Sequence, residues 1–215
     1  MKNIILILVL ILIPSFVIRG NLKSQEPTHQ DTVNDLNNKL ALFIGDSHTG
    51  NNQFGWQVYL CEKTGIKMNN ISQIGKTTFW MLEQANLSVH QGFDYCFIYG
   101  GANDMYGGVT AKRATKNIQS IVNICNSKGV HAVVITGFNP ITCVRTYDNP
   151  GYPQRYAQFQ QMLLDSIKGA KVIDTRGAVV RQDCYDAICH MNPSGHRKMA
   201  ETIIQKMNIK IKNPH

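Results

Sequence analysis

The fold of this chain is decided by the stretch Ala41-Leu42-Phe43-Ile44-Gly45-Asp46-Ser47-His48-Thr49. The apolar run from Leu40 to Ile44 predicts a buried strand that ends at Gly45, and a helical pattern begins a few residues later. In an open α/β sheet, ligands bind just beyond the carboxyl ends of the strands. This strand–turn–helix unit therefore brings Ser47 to the place where such folds carry out chemistry. The alternative is that Ser47 caps the following helix, which serine often does.

Beyond that stretch, apolar runs alternate with helical patterns along the chain. Further strands are predicted around 71–74 and over 95–99, 130–136 and 171–174. Helical spacing predicts helices over 53–63, 77–87, 114–125 and 156–167, and one that begins at Asn192-Pro193. Strands separated by helices, without hairpin signals, indicate a parallel sheet covered on both faces. We therefore predict an α/β fold, a flavodoxin-like three-layer sandwich with a five-stranded parallel sheet of order 2-1-3-4-5.

Residues 1–20 are predicted to be a signal peptide or an N-terminal membrane anchor. Ile4 to Ile18 contains no charged residue, and its fifteen residues are fewer than a membrane span needs. With Lys2 as the positive flank, the segment fits a secretory signal. Small residues are missing at the spacing of a cleavage site, so membrane attachment through residues 4–18 stays open. In either case we expect an exported protein, which is secreted, periplasmic or anchored on the outer side of the membrane.

The rest of the chain divides into a tether, a domain and a tail. Residues 21–39 are polar and are predicted to form a tether, 40–209 the globular domain and 210–215 the tail. The net charge of +8 is compatible with an anionic partner. However, the Lys and Arg residues are scattered and no nucleic-acid-binding motif is visible. We interpret the charge as solvated surface and expect no nucleic-acid partner.

Polar residues follow three strands and precede the last helix, at one edge of the predicted sheet. They are Ser47, Gly75, Asn103 and His190. A serine hydroxyl becomes a good nucleophile when a base removes its proton, and histidine suits that task because its pKa lies near neutral. A glycine N–H and an asparagine amide can donate to the oxyanion of a tetrahedral intermediate. These residue types together predict acyl transfer.

The chain has seven histidines, and their positions select His190 as the candidate base. His48 follows the serine directly, and neighbouring side chains on a turn usually diverge. His196 falls on the last helix, where we expect it near the surface. The others lie in the tether, before strands at the opposite edge or at the chain end: His29, His90, His131 and His215.

The motifs resemble the conserved blocks of the SGNH (GDSL-like) hydrolase superfamily. The matching blocks are Gly45-Asp46-Ser47, Gly75, Gly101-x-Asn103-Asp104, and His190 with Gly195. The resemblance implies that Ser47 is the nucleophile and His190 the general base. It implies an oxyanion hole made by the Ser47 N–H, the Gly75 N–H and the Asn103 side chain. It also implies structural roles for Asp46 and Asp104, and no metal or organic cofactor.

The acid partner of the histidine departs from the family pattern. The family usually places it three residues before the histidine, where this chain has Ala187. A one-residue bulge at Ile188-Cys189 would bring Asp186 to the second imidazole nitrogen, as such an acid requires, and we predict this arrangement. Two alternatives stay open: Asp183 is the acid, or a backbone carbonyl takes its place in a Ser–His dyad.

The expected function is a serine esterase that removes an acyl group, with acetyl as the first choice. Its substrate would be a small-molecule or glycan ester, such as an acetylated carbohydrate. One alternative is an O-acyltransferase that uses the same site. Another is an inactive carbohydrate-binding domain, which the irregular spacing between acid and histidine favours.

The six cysteines show no C-x-x-C pattern, so they do not predict a metal site. Cys96 and Cys125 fall at core positions of a strand and a helix. Cys143, Cys184 and Cys189 fall in loops near the predicted site. In an oxidising compartment, we expect one disulfide among these three.

Overall fold

A five-stranded parallel sheet lies at the centre of the computed structural model, which describes residues 34–50, 53–143, 149–185 and 190–212. The strands are β1 (Leu40–Gly45), β2 (Lys67–Asn70), β3 (Tyr95–Tyr99), β4 (His131–Ile135) and β5 (Lys171–Ile173). Their order is β2-β1-β3-β4-β5, and every neighbouring pair is parallel. The predicted fold class and strand order are confirmed.

Helices cover both faces of the sheet. One face packs against α2 (Thr78–Ser88), α4 (Ala111–Ser127) and α6 (Tyr152–Ser166), and the other against α1 (Trp56–Thr64) and α7 (Pro193–Lys206). Each face has its own apolar core. The apolar runs of β1 and β3 are buried on both faces, as the strands of a covered parallel sheet require.

Short elements stand at the carboxyl edge of the sheet. The helix α3 (Ala102–Tyr106) follows β3, and α5 (Pro140–Cys143) follows β4. A 3₁₀ turn over Arg181–Asp183 precedes α7. Of these elements, α3 contains the predicted site residue Asn103.

The second strand lies earlier in the chain than the sequence predicted. It covers Lys67–Asn70 rather than the region around 71–74. The chain after β2 still runs alongside β1, because Ile71 N–H donates to Phe43 O at 3.0 Å. β2 lies at the edge of the sheet and its residues are exposed or half-buried, so it lacks the apolar run by which the other strands were found.

The domain extends beyond both predicted boundaries. Leu36 is fully buried in the core beside α1 and α7, and Asn34 pairs with Ile209. Lys210 N–H donates to Asn34 O at 2.9 Å, and Lys212 N–H donates to Lys63 O, in α1, at 2.7 Å. The predicted limits of 40 and 209 are therefore too narrow. One leucine in a polar stretch has no periodicity that would reveal its burial.

The N-terminal predictions fall on residues outside the described part of the chain. This applies to the signal or anchor over residues 1–20 and to most of the tether. Within the described residues, no helix has the length and apolar character to cross a bilayer. Cys96 and Cys125 are buried in the core as predicted. The side chains of Cys143 and Cys189 lie outside the described part, so the predicted disulfide stays a prediction.

Candidate active site

Ser47 stands on a tight turn at the carboxyl end of β1. The turn begins with Gly45, where an added Cβ would approach Thr49 Oγ1 to 2.7 Å, so a larger residue does not fit there. Thr49 N–H donates to Asp46 O at 3.1 Å and closes the turn. His48 N–H donates to the side chain of Asp46 at 3.0 Å. These contacts present the Ser47 side chain beyond the end of the strand.

His190 lies directly against the serine. The distance between Ser47 Oγ and His190 Nε2 is 2.8 Å, which is hydrogen-bond contact. Residues on both sides of His190 are held in place, because Cys184 and Met191 form an antiparallel bridge and Asn192 caps α7 by accepting from Gly195 N–H at 3.1 Å. The predicted N-cap at Asn192, with Pro193 at the first position of the helix, is confirmed.

Burial gives this histidine the protonation state that a base needs. It lowers the pKa of His190 below its ordinary value, so the imidazole is neutral at neutral pH. A neutral imidazole at 2.8 Å from a hydroxyl can accept its proton.

Gly75 and Asn103 face the same cavity as the serine and the histidine. This cavity has a volume of about 250 Å³. Gly75 has a φ of +77°, in the left-handed region that glycine adopts without strain. Asn103 Nδ2 donates to Lys76 O at 2.9 Å, which holds the amide beside the Gly75 turn. An amide nitrogen has a second hydrogen, so Asn103 keeps one donor for a ligand.

The two aspartates of the motifs are tied into the fold. Asp104 accepts from Thr78 N at 2.8 Å and from Thr78 Oγ1 at 2.6 Å, which joins α3 to the start of α2. Asp46 is fully buried beneath the serine, and burial raises its pKa to about 7. Neither carboxylate lines the cavity. Their contacts favour structural roles.

The acid partner of His190 is not found among the described residues. Asp186 lies outside them. The carboxylate of Asp183 accepts from Val180 N–H at 3.1 Å, Ser194 Oγ at 2.9 Å and Lys198 Nζ at 2.8 Å. Although burial raises the pKa of Asp183, these donors outweigh burial and hold it below its ordinary value. Asp183 therefore joins the 3₁₀ turn to α7, and in the described part of the chain no carboxylate hydrogen-bonds to His190.

The prediction for His48 was wrong. Its side chain does not diverge from the site, since it lines the cavity with Ser47, and its ring centroid lies 5.2 Å from that of His190. The rings that hold it belong to Tyr99 and Phe138, which are distant in sequence. Nothing in the local sequence indicates these contacts.

The prediction for His196 was also wrong, because the residue is buried. Its Nδ1 accepts from Trp56 N–H at 3.2 Å, which joins α7 to the start of α1. A signal was available: His196 stands three residues before Met199 and seven before Ile203, on the apolar face of the helix.

Four further residues line the cavity. Tyr152 and Ala102 form buried parts of its wall, whereas Ile74 and Tyr106 lie at its mouth, 75% and 52% exposed. Tyr152 belongs to the long connection over 138–155, whose aromatic and basic residues the sequence offers as the lining of a sugar pocket or, equally, as a rigid surface loop. Ile74, Ala102 and Tyr106 belong to no motif by which the sequence could have indicated them.

Comparison with known proteins identifies the family. A sequence model described as the GDSL-like Lipase/Acylhydrolase family matches residues 43–198. No curated protein matches the chain.

Solved structures share the fold at low sequence identity. A member of the lipolytic G-D-S-L family from Veillonella parvula is 17% identical with a TM-score of 0.65, over 78% of this chain and 97% of that one. An acetylxylan esterase from Geobacillus stearothermophilus is 16% identical with a TM-score of 0.63, over 82% and 98%. A GDSL-like lipase from Bacteroides thetaiotaomicron is 15% identical with a TM-score of 0.62, over 79% and 87%. With a family match over most of its length, the chain belongs to the GDSL-like lipase/acylhydrolase family.

Proposed function

We propose that this protein is an exported serine esterase that removes acetyl groups from a carbohydrate. The observation that carries the proposal is the 2.8 Å contact between Ser47 Oγ and His190 Nε2, at a cavity that Gly75 and Asn103 also line. Acyl transfer needs a nucleophile, a base and oxyanion donors, and this small cavity brings together candidates for all three.

In the proposed reaction, His190 and Ser47 act as base and nucleophile. His190 Nε2 takes the proton of Ser47 Oγ while Oγ attacks the ester carbonyl. The carbonyl oxygen becomes an oxyanion and accepts hydrogen bonds from the Ser47 N–H, the Gly75 N–H and Asn103 Nδ2. The carbonyl re-forms as the alcohol leaves with the proton from His190. The product of this half-reaction is an acyl-Ser47 intermediate.

Water completes the cycle. His190 takes a proton from a water molecule, whose oxygen attacks the acyl-Ser47 carbonyl at the same donors. When the tetrahedral intermediate breaks down, His190 returns the proton to Ser47 Oγ and the carboxylic acid leaves. Asp186 is the proposed partner of the second imidazole nitrogen, which stabilises the imidazolium formed in both steps.

The size and lining of the cavity support a short acyl group. Its volume is about 250 Å³, and its inner wall includes the buried side chains of Tyr152 and Ala102. The exposed Tyr106 and Ile74 at the mouth offer apolar surface to the alcohol part of the ester. Aromatic side chains bury large apolar areas at low entropic cost, which suits the apolar face of a sugar ring. The acetylxylan esterase among the structural neighbours supports the same substrate class.

A hydrolysis screen tests this proposal. Aryl acetate, butyrate and octanoate esters and acetylated xylo-oligosaccharides would be compared, with Ser47→Ala as the control. We expect the acetate to be the fastest aryl ester, acetate release from the oligosaccharides, and a loss of several orders of magnitude in Ser47→Ala with unchanged circular dichroism. Release that depends on a sugar acceptor, sugar binding without turnover, or Ser47→Ala activity near that of the wild type would contradict the proposal.

Export is tested separately by cell fractionation. We expect the full-length protein in the membrane or outside the cytoplasm, because residues 4–18 are apolar and follow Lys2. Full-length protein in the cytoplasmic fraction, with these residues intact, would contradict export and leave the esterase proposal standing.

A further inference from the structure

His48 is a buried imidazole at the cavity, and the proposed reaction does not use it. Its exposed fraction is 2%, and it lines the cavity beside Ser47 and His190. Its backbone N–H is fixed by Asp46 Oδ1 at 3.0 Å. Among the described residues, its Nδ1 is buried without a hydrogen-bond partner. The place of this ring at the cavity therefore has to be explained by its planar contacts rather than by a hydrogen bond from Nδ1.

The ring of His48 is held on two sides and contacts His190 on a third. It stacks on the ring of Tyr99 with centroids 5.4 Å apart and planes 14° apart. It meets Phe138 edge-on at 5.3 Å. The ring of His190 lies at 5.2 Å with an interplanar angle of 33°. His48 is thus a fixed flat surface that faces the candidate base.

Hydrogen bonds at the nitrogens of an imidazole lie in the ring plane and resist a tilt of that plane only weakly. The contact with Ser47 Oγ sets the position of Nε2, and the proposed contact with Asp186 would hold the second nitrogen. A flat neighbouring ring resists the tilt. Within the described residues, His48 is the ring in contact with His190.

The surroundings of His48 also keep it uncharged. The titratable groups near it are Tyr99 on β3, Asp46 in its own turn, His190, and His196 on α7. Burial lowers the pKa of His48 well below its ordinary value, and charge on His190 or His196 lowers it further. The imidazolium that forms on His190 during the reaction therefore does not face a cationic His48.

We propose that His48 is a positioning residue, whose ring, held by Tyr99 and Phe138, sets the plane of the His190 imidazole so that Nε2 faces Ser47 Oγ. The inference rests on the proposed role of His190 as the base. It assigns to His48 a planar contact and no proton transfer. A flat apolar ring should therefore replace it, whereas an aliphatic side chain should not.

The test compares three variants of this position in the full chain. His48→Phe keeps a flat ring, His48→Leu keeps apolar volume without one, and His48→Ala removes both. kcat and KM would be measured with an aryl acetate, per active serine titrated by a fluorophosphonate. We expect His48→Leu and His48→Ala to lower kcat by about 10²-fold at nearly constant KM, the loss that a misplacement of about 1 Å can cause. His48→Phe should keep most of the wild-type kcat.

The pH profile separates positioning from a merely structural effect. Burial lowers the pKa of His190, and a smaller residue at position 48 admits water to its ring. The acid limb of kcat/KM should therefore move to higher pH in His48→Ala and stay in place in His48→Phe. The matched control is His196→Asn, which removes another imidazole near His190 and can still accept from Trp56 N–H. Its kcat should be that of the wild type.

Two results would overturn the inference. If His48→Phe loses as much kcat as His48→Ala, a nitrogen of His48 acts in the reaction. If His48→Leu and His48→Ala keep wild-type kcat, His190 needs no flat neighbour. Failure of the proposed function looks different, because the wild type would then hydrolyse no ester and Ser47 would resist the fluorophosphonate. If His48→Ala does not fold, the kcat values of His48→Leu and His48→Phe test the inference.

Discussion

Removing the Asn103 side chain separates a transition-state role from a structural one. The Asn103 amide faces the cavity with Ser47 and Gly75, and its Nδ2 donates one hydrogen to Lys76 O at 2.9 Å. Asn103→Ala removes the second hydrogen, which is the proposed oxyanion donor, together with this internal bond. The two losses have different sizes and appear in different measurements.

The expected magnitudes follow from these two contacts. Loss of one oxyanion donor costs about 10²–10³-fold in kcat, or about 3–4 kcal/mol of transition-state stabilisation. Loss of one partly buried neutral hydrogen bond costs about 1 kcal/mol of folding stability. Because the ground-state ester carbonyl carries little charge, KM should change little. Asn103→Asp should be at least as slow, since it places a negative charge where the oxyanion forms.

The assay pairs steady-state kinetics on an aryl acetate with urea unfolding of each variant. Asn117→Ala is the matched control, because Asn117 Nδ2 also makes an internal hydrogen bond, to Thr78 Oγ1 at 2.9 Å, and does not line the cavity. It should lose a similar amount of stability and keep its kcat. A rise in KM without a fall in kcat would place Asn103 in ground-state binding. An equal fall in kcat in Asn117→Ala would show that loosening the fold explains the effect.

Two further predictions concern carboxylates. If Asp186 orients His190 through a specific hydrogen bond, Asp186→Asn should lower kcat far more than Asp183→Asn does, and added salt should barely change that loss. If neither substitution lowers kcat by more than about tenfold, the site works as a Ser47–His190 dyad. Because burial raises the pKa of Asp46 to about 7, its contribution to stability is complete below the unfolded pKa of about 4 and is lost as pH rises through 7. Between pH 4 and pH 8 the unfolding free energy of the wild type should therefore fall relative to that of Asp46→Asn by up to about 4 kcal/mol. Urea unfolding of both proteins at the two pH values measures this difference. An equal pH dependence of the two unfolding free energies would refute the prediction.

The central strands were predictable because their burial leaves a local trace. β1, β3 and β4 are covered on both faces, so each is a run of apolar residues that the sequence displays directly. β2 is an edge strand with the sequence Lys67-Met68-Asn69-Asn70, and no apolar run marks it. Leu36 is a similar case, since its burial depends on α1 and α7, which lie far from it along the chain.

The residues of the candidate site also differ in whether the local sequence could predict them. Ser47, Gly75 and Asn103 follow strand ends, and the topology of a parallel sheet brings all strand ends of one kind to one edge. His48 depends instead on the rings of Tyr99 and Phe138, which come from the ends of β3 and β4. Contacts of that kind arise from packing between distant segments, so no spacing within the local sequence reveals them.

Two consecutive motif residues have complementary tasks. Asn103 Nδ2 donates to Lys76 O, and Asp104 accepts from both the N–H and the hydroxyl of Thr78. Together they join α3 to the segment that begins with Gly75, so Gly75 and Asn103, the proposed oxyanion donors, keep a fixed separation. Preorganised donors are effective because they need no rearrangement when charge develops. In the proposed reaction, the first residue of the Asn103-Asp104 pair would donate to the oxyanion, while the second holds in place the segments from which the proposed donors come, and this division of tasks would explain why so short a motif indicates function.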